Sequence, residues 1–325
     1  MSEIDDLLLR FEQGDRRALA RLISKVENRH DDLPKILDYV YPKVGNAYRI
    51  GITGPPGAGK STIVNSVVNL YRKAGLSIGV IAVDPTSPFS GGALLGDRVR
   101  MSKIGLDPGV FIRSLATRGS VGGLSKAAGD VADVLDAFGN DLIVVETVGV
   151  GQSELEIVQY ADTTVVVLVP ESGDGIQAMK AGLMEIADFY VLNKADHPGA
   201  DRSLMEIETM LELKQDTKPW NPKIVKTVAV NEEGIDEIVD RIAEHRDYME
   251  TSGELATQRR QKLLRKYRRV VEDAVLQVFW TDDRTRQFVQ GFDEQDSPYH
   301  ISQRLIQSVI REAKSLKSRN KEQEE

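Results

Sequence analysis

Residues 54–61 read Gly-Pro-Pro-Gly-Ala-Gly-Lys-Ser, a complete GxxxxGKS run. No other feature restricts the fold as much, because such a loop binds phosphate only when a strand leads into it and a helix leads out. Both flanks comply: Tyr48–Thr53 is an apolar, β-like run, and Ser61–Lys73 carries a helical pattern. In that context the backbone N–H groups from Gly57 through Ala58, Gly59 and Lys60 to Ser61 turn inward around a β-phosphate, with Thr62 next in line. Gly54, Gly57 and Gly59 permit close approach and positive φ. The Lys60 ammonium is placed to reach the β- and γ-phosphates, and the Ser61 hydroxyl to ligate Mg²⁺.

The rest of the chain supplies the matching framework. Short apolar runs at 48–53, 78–84, 141–146, 163–169, 189–193 and 224–229 alternate with helix-like segments. That alternation predicts an α/β fold: a P-loop NTPase with a doubly wound, mostly parallel sheet. In such sheets ligands bind at the carboxyl ends of the strands, where the polar motifs of this chain fall. Residues 1–47 read as an N-terminal helical extension, with Ile4, Leu7, Leu8 and Phe11 at helical spacing and Asp15 as the cap of a second helix. Residues 48–250 form the nucleotide domain. Residues 251–325 form a C-terminal helical extension, led by one long amphipathic helix, Glu254–Phe279.

Composition removes several function classes. The 325 residues contain no cysteine, which excludes disulfides, thiolate zinc sites and cysteine nucleophiles and fits a cytoplasmic location. The beginning of the chain, MSEIDDLLLRFEQGD, is too acidic and polar for a signal peptide, and the longest apolar runs are of strand length, so no membrane association is expected. A net charge of −8 argues against a nucleic-acid binder, and the basic run from Arg259 to Arg269 reads as a solvated helix face.

Three motifs complete the constellation. Asp84 ends one strand and is followed by Pro85, and a carboxylate there can bind Mg²⁺ directly or through water. Asp97, in the stretch that follows, joins it or instead pairs with Arg100 on a surface helix. Glu146 ends a second buried strand, with Gly149 three residues on, the arrangement in which an acid holds Mg²⁺ and a glycine N–H meets the γ-phosphate. Where many guanine-nucleotide switches place a water-orienting Gln after this glycine, the chain has Val150, which predicts slow unassisted hydrolysis. Asn193-Lys194-Ala195-Asp196 selects guanine, since a carboxylate at 196 accepts from the base N1–H and exocyclic amine, a donor pair that adenine lacks. The Ser-Ala pair that usually follows is replaced by Thr227-Val228-Ala229, leaving the Val228–Ala229 backbone to face the base. GTP or GDP with Mg²⁺ is therefore the expected ligand.

With these residues in place the chain resembles the MeaB/ArgK family of GTPases over nearly its whole length. The resemblance is carried by GPPGAGKST, VDPTSPFSGGALLGDR, ETVGVGQSE, PESGDGIQAMKAG and NKAD. It implies a GTPase of the class that dimerises around nucleotide and acts as chaperone to an adenosylcobalamin-dependent acyl-CoA mutase, mainly of the methylmalonyl-CoA type. It further implies that Asp84, Asp97 and Glu146 are the Mg²⁺ and switch carboxylates. Gln177 and Lys180 correspond by resemblance to catalytic positions of a further loop; read from the residues alone, they decorate a helix start just as well. The C-terminal helices are implied to embrace a second subunit. Two other readings are a metallochaperone, poorly served by four scattered histidines and no cysteine, and a kinase acting on a small molecule or a transport protein.

Overall fold

The computed structural model describes residues 2–84, 104–116, 127–147, 153–170, 182–212, 219–290 and 297–323. They fall into two compact units, Met1–Arg259 and Arg260–Glu325.

The described residues of the first unit form seven strands: β1 Tyr48–Thr53, β2 Ile78–Asp84, β3 Val110–Ala116, β4 Leu142–Glu146, β5 Thr163–Leu168, β6 Phe189–Asn193 and β7 Ile224–Thr227. They lie in the order β3-β2-β4-β1-β5-β6-β7, and every pairing is parallel. Chain order reverses at β1, which sits between β4 and β5, so the crevice above its carboxyl end is the natural ligand position. The expected α/β class with its parallel sheet holds, with one addition: β3 is a strand that the periodicity did not predict. Its sequence, VFIRSLA, breaks an apolar run with Arg113 and Ser114. Those polar groups suit an edge strand beneath the N-terminal helices, where Arg113 donates to Glu27 and to the Ser24 hydroxyl at 3.2 Å.

The described residues form twelve helices: α1 Glu3–Glu12, α2 Arg16–Glu27, α3 Leu33–Val40, α4 Lys60–Lys73, α5 Ala127–Ala137, α6 Ser153–Glu156, α7 Met184–Ile186, α8 Ala200–Glu212, α9 Ile235–Thr251, α10 Glu254–Phe279, α11 Asp282–Gln290 and α12 Pro298–Gln323. Strand side chains alternate between two apolar layers. Ile50, Ile52, Val80, Val144, Val165 and Val191 meet Ile63, Val64 and Val67 of α4 and Ile238 and Ile242 of α9. On the opposite face Ile81, Val83, Ile143 and Val145 meet α5, and the same cluster extends through α1, α2 and α3. Asp15 caps α2 as expected, accepting from Arg17 N–H at 2.7 Å.

At the rim opposite the strand carboxyl ends lies a buried ionic network. Arg49 donates to Asp133 at 2.8 Å and Asp136 at 3.0 Å, and its own N–H donates to Asp162 at 3.0 Å. Asp136 also accepts from the N–H groups of Gly45, Asn46 and Ala47. Arg259 grips Asp162 with two nitrogens, at 2.6 and 3.1 Å, and donates to the carbonyls of Gly45 and Ala47. Burial alone would disfavour the Arg49 charge, but Asp133 and Asp136 outweigh it and hold the guanidinium above its ordinary pKa.

In the second unit Trp280 stacks edge-on against Phe279 and Phe288, with centroids 5.0 and 5.5 Å apart. Arg284 donates to the carbonyls of Val278 and Phe279, which cap the end of α10. Leu264, Val270, Val271, Val275 and Val278 are all exposed along α10, and no residue of that helix is buried. No described helix is long and apolar enough to cross a membrane.

Candidate active site

The phosphate loop links β1 to α4 as its sequence requires. Gly54 has φ 138°, and a Cβ there would stand 2.0 Å from the Val167 carbonyl oxygen of β5, so only glycine fits. Gly59, at φ 90°, is the left-handed residue that opens α4, and a Cβ on it would meet the Asn193 amide at 2.3 Å. Lys60 is buried, and its ammonium donates to the carbonyls of Gly54 at 2.8 Å and Pro55 at 2.9 Å. The lysine therefore lies along the loop it follows, with its charge over the phosphate cradle. Ala58 is buried, whereas Ser61 and Thr62 are partly accessible.

Glu146, the last residue of β4, reaches the start of α4. Ser61 Oγ donates to Glu146 Oε1 at 2.6 Å, which places two hard oxygen donors side by side at the helix N-terminus. The β2–β4 register pairs Ala82 with Glu146, so Asp84 is two residues further along the neighbouring strand at the same rim. The backbone of Asp84 is described, but its side chain is not. Asp97, Gly149, Val150, Gln177 and Lys180 lie outside the described residues.

On the other side of β1 the base-selecting motif follows β6. Asn193 is buried and makes three contacts. Its amide donates to Ala58 O at 2.8 Å, while its Oδ1 accepts from Thr227 Oγ1 and from Ala229 N–H, both at 3.1 Å. The phosphate loop and the β7 exit are thus joined through one side chain. The Ala229 N–H is engaged by Asn193, and the Val228 N–H by the Glu233 carbonyl at 3.2 Å. Lys194 adopts φ 57°, unusual for a residue with a Cβ, and Ala195 N–H donates back to Thr227 O at 3.0 Å. This kink leaves Asp196 exposed, free to accept from a ligand.

Three side chains here escaped the sequence reading. Glu154, on α6, is buried; burial raises its carboxyl pKa, and the nearby Lys60 charge pulls against that rise. Thr53 and Thr147, one before Gly54 and one after Glu146, face each other with their hydroxyl oxygens 2.8 Å apart. Glu154 stood within the ETVGVGQSE stretch, but nothing in the spacing marked it out.

A Walker-type loop, an acid at the end of an adjacent parallel strand and an NKxD turn on one rim define a P-loop guanine-nucleotide hydrolase. The model of one family in that class, described as methylmalonyl Co-A mutase-associated GTPase MeaB, matches residues 19–284. The chain belongs to that family. A Pyrococcus abyssi protein is 49% identical over 314 residues, covering 94% of this chain and 97% of its own length. GTPase ArgK of Escherichia coli is 37% identical over 290 residues, covering 86% of this chain and 88% of its own. The mouse methylmalonic aciduria type A homolog, mitochondrial, is 32% identical over 302 residues, covering 87% of this chain and 73% of its own. Among solved structures, one titled LAO/AO transport system kinase superposes with a TM-score of 0.71 at 29% identity, covering 95% of this chain and 99% of that one. The protein is a GTPase and binds guanine nucleotide.

Proposed function

We propose that this GTPase is the chaperone of an adenosylcobalamin-dependent acyl-CoA mutase, gating cofactor loading and protecting the mutase, with GTP hydrolysis resetting the complex. The observation that carries the reading is the match over residues 19–284 to a family described by its association with methylmalonyl-CoA mutase. The name of the mouse relative supports the same metabolic setting.

In this reading the loop amides and the Lys60 ammonium bind the β- and γ-phosphates and offset charge as the terminal phosphoryl group departs to water. Asp196 holds the guanine edge, and Asn193 keeps the base turn and the phosphate loop in fixed relation. The Ser61 hydroxyl and Glu146 carboxylate, 2.6 Å apart, suit a small hard cation in donor type and placement, so they would hold Mg²⁺, with Asp84 and Asp97 as further carboxylates. That ion would supply neutralisation of phosphate charge. Gly149 is read as the γ-phosphate sensor, and Gln177 and Lys180 as groups that assist hydrolysis. The division of labour follows the sequence: helical extensions at 1–47 and 251–325 around a nucleotide domain at 48–250. The exposed apolar positions of α10 support a homodimer, since a second copy would cover them. We also place the protein in the cytoplasm, with no nucleic-acid or membrane partner.

A pull-down tests the proposal. The mutase co-purifies with the protein loaded with a non-hydrolysable GTP analogue and is released after exchange to GDP; no nucleotide-dependent retention overturns it. One observation favours a second reading, the transport-system kinase title of the similar solved structure. Label from γ-labelled GTP appearing on a substrate rather than as free phosphate would decide for that reading. A metallochaperone role finds no support among the described residues, which hold no cluster of three or more metal-ligating side chains.

A further inference from the structure

Three elements of the first unit meet at one hydroxyl. Thr53 ends β1 immediately before Gly54, Thr147 follows the end of β4 and Glu146, and Glu154 lies in α6. Thr53 Oγ1 is 2.8 Å from Thr147 Oγ1 and 3.5 Å from the Glu154 carbonyl oxygen. Each hydroxyl carries one proton, and a carbonyl oxygen only accepts. The geometry is satisfied when Thr147 donates to Thr53 and Thr53 donates to Glu154. The second link is long and weak alone, but the first is short and lies where both threonines are essentially inaccessible, so losing a partner is costly. Thr147 is fixed by its backbone as well, its N–H donating to Ile52 O at 3.1 Å. Valine has the same shape as threonine, so volume alone does not call for a hydroxyl at this fully buried position.

We propose that Thr53 is a positioning residue for GTP hydrolysis. Its hydroxyl pins the end of β4, which bears Glu146, against the entry of the phosphate loop and so sets the Ser61–Glu146 separation. Thr53 is fully buried and acts through Glu146 and Gly54. The inference rests on reading Ser61 and Glu146 as the cation-holding pair.

The test uses full-length Thr53→Val, Thr53→Ser, Thr147→Val and the double variant Thr53→Val/Thr147→Val. Three quantities are measured: kcat for GTP, the Mg²⁺ concentration giving half-maximal binding of a fluorescent non-hydrolysable GTP analogue, and the thermal midpoint. Thr53→Val is expected to lower kcat about tenfold and to raise the Mg²⁺ requirement several-fold, with Thr53→Ser close to wild type. Thr147→Val is expected to match Thr53→Val. The double variant is no worse than either single, because removing both hydroxyls leaves neither unpaired, and its recovered midpoint keeps the comparison valid should a single variant fold poorly. Wild-type kcat and Mg²⁺ requirement in Thr53→Val would overturn the inference. So would independent, multiplying effects of the two threonines, or a thermal loss with no change in Mg²⁺ requirement. A wild-type protein that binds the analogue equally well without divalent cation would instead overturn the underlying reading of Ser61 and Glu146.

Discussion

Ser61 and Glu146, 85 residues apart in sequence, share a 2.6 Å hydrogen bond where β4 ends and α4 begins. The carboxylate belongs to one strand and the hydroxyl to the first turn of the helix after its neighbour, so the parallel β1–β4 pairing brings them together. Removing either oxygen should therefore impair cation-assisted hydrolysis more than guanine recognition. Ser61→Ala and Glu146→Gln are each expected to lower kcat by about 10²-fold or more while GDP affinity falls far less. Single-turnover hydrolysis beside equilibrium titration with GDP checks this, and equal losses in both would contradict it.

Base choice rests on Asp196. Its carboxylate is exposed at the head of a turn held by Lys194 and Thr227 rather than by its own side chain. Asp196→Asn keeps the shape but replaces one acceptor with a donor. GTP affinity should fall by about 10²–10³-fold, with xanthosine triphosphate, which presents a carbonyl where guanine has its amine, bound in preference. Competition binding with the two nucleotides reads the switch directly.

Gly54→Ala tests the fit of the loop to the sheet. The new methyl would sit 2.0 Å from the Val167 carbonyl on a backbone already at φ 138°, so the loop and β5 must separate. A loss of about 2 kcal/mol or more in urea unfolding is expected, together with loss of nucleotide binding. Gly57→Ala, where the methyl would meet nothing within 4 Å, should cost less stability.

The buried ionic rim gives a stability prediction remote from the nucleotide. Asp136→Ala leaves Arg49 with one carboxylate fewer and strips three backbone N–H groups of their acceptor. Breaking such a network from one side should cost about 3–5 kcal/mol by chemical denaturation. Asp136→Asn, which keeps one acceptor oxygen, should cost less.

Glu154 gives a pH-dependent signature of opposite sign to an ordinary salt-bridged acid. Burial raises its folded-state pKa, against the pull of Lys60. The folded protein therefore holds the proton more tightly than the unfolded chain. That contribution is full below the ordinary glutamate range and is lost as pH rises through the raised value. Glu154→Gln should consequently stabilise the protein at neutral pH, and the gain should vanish near pH 4. Unfolding curves at both pH values check it; a gain that persists in acid would contradict the assignment.

Most of this architecture was legible because it is local. GPPGAGKS between an apolar strand and a helix, the acid ending 141–146 and NKAD after 189–193 are contiguous patterns, and parallel α/β topology places their ends on one rim. What escaped depends on contacts between distant segments. β3 hid because Arg113 faces Glu27 and Ser24, so its charge is satisfied by α2. Thr53 and Thr147 read as routine β-formers, and only the strand register shows that their hydroxyls meet. Asn193 showed in the sequence only as part of NKAD, and its bonds to Ala58 and Ala229 set it between loop and turn.

Arg259 bears on where the molecule can be cut. Its guanidinium supplies two hydrogen bonds to Asp162, which is almost wholly enclosed, and two more to the carbonyls of Gly45 and Ala47. A minimal fragment ending at 250, where the sequence changes character, would strand that carboxylate. Extending the fragment through the first two turns of α10 keeps it neutralised, so the practical terminus for a stand-alone nucleotide-binding piece lies beyond 259.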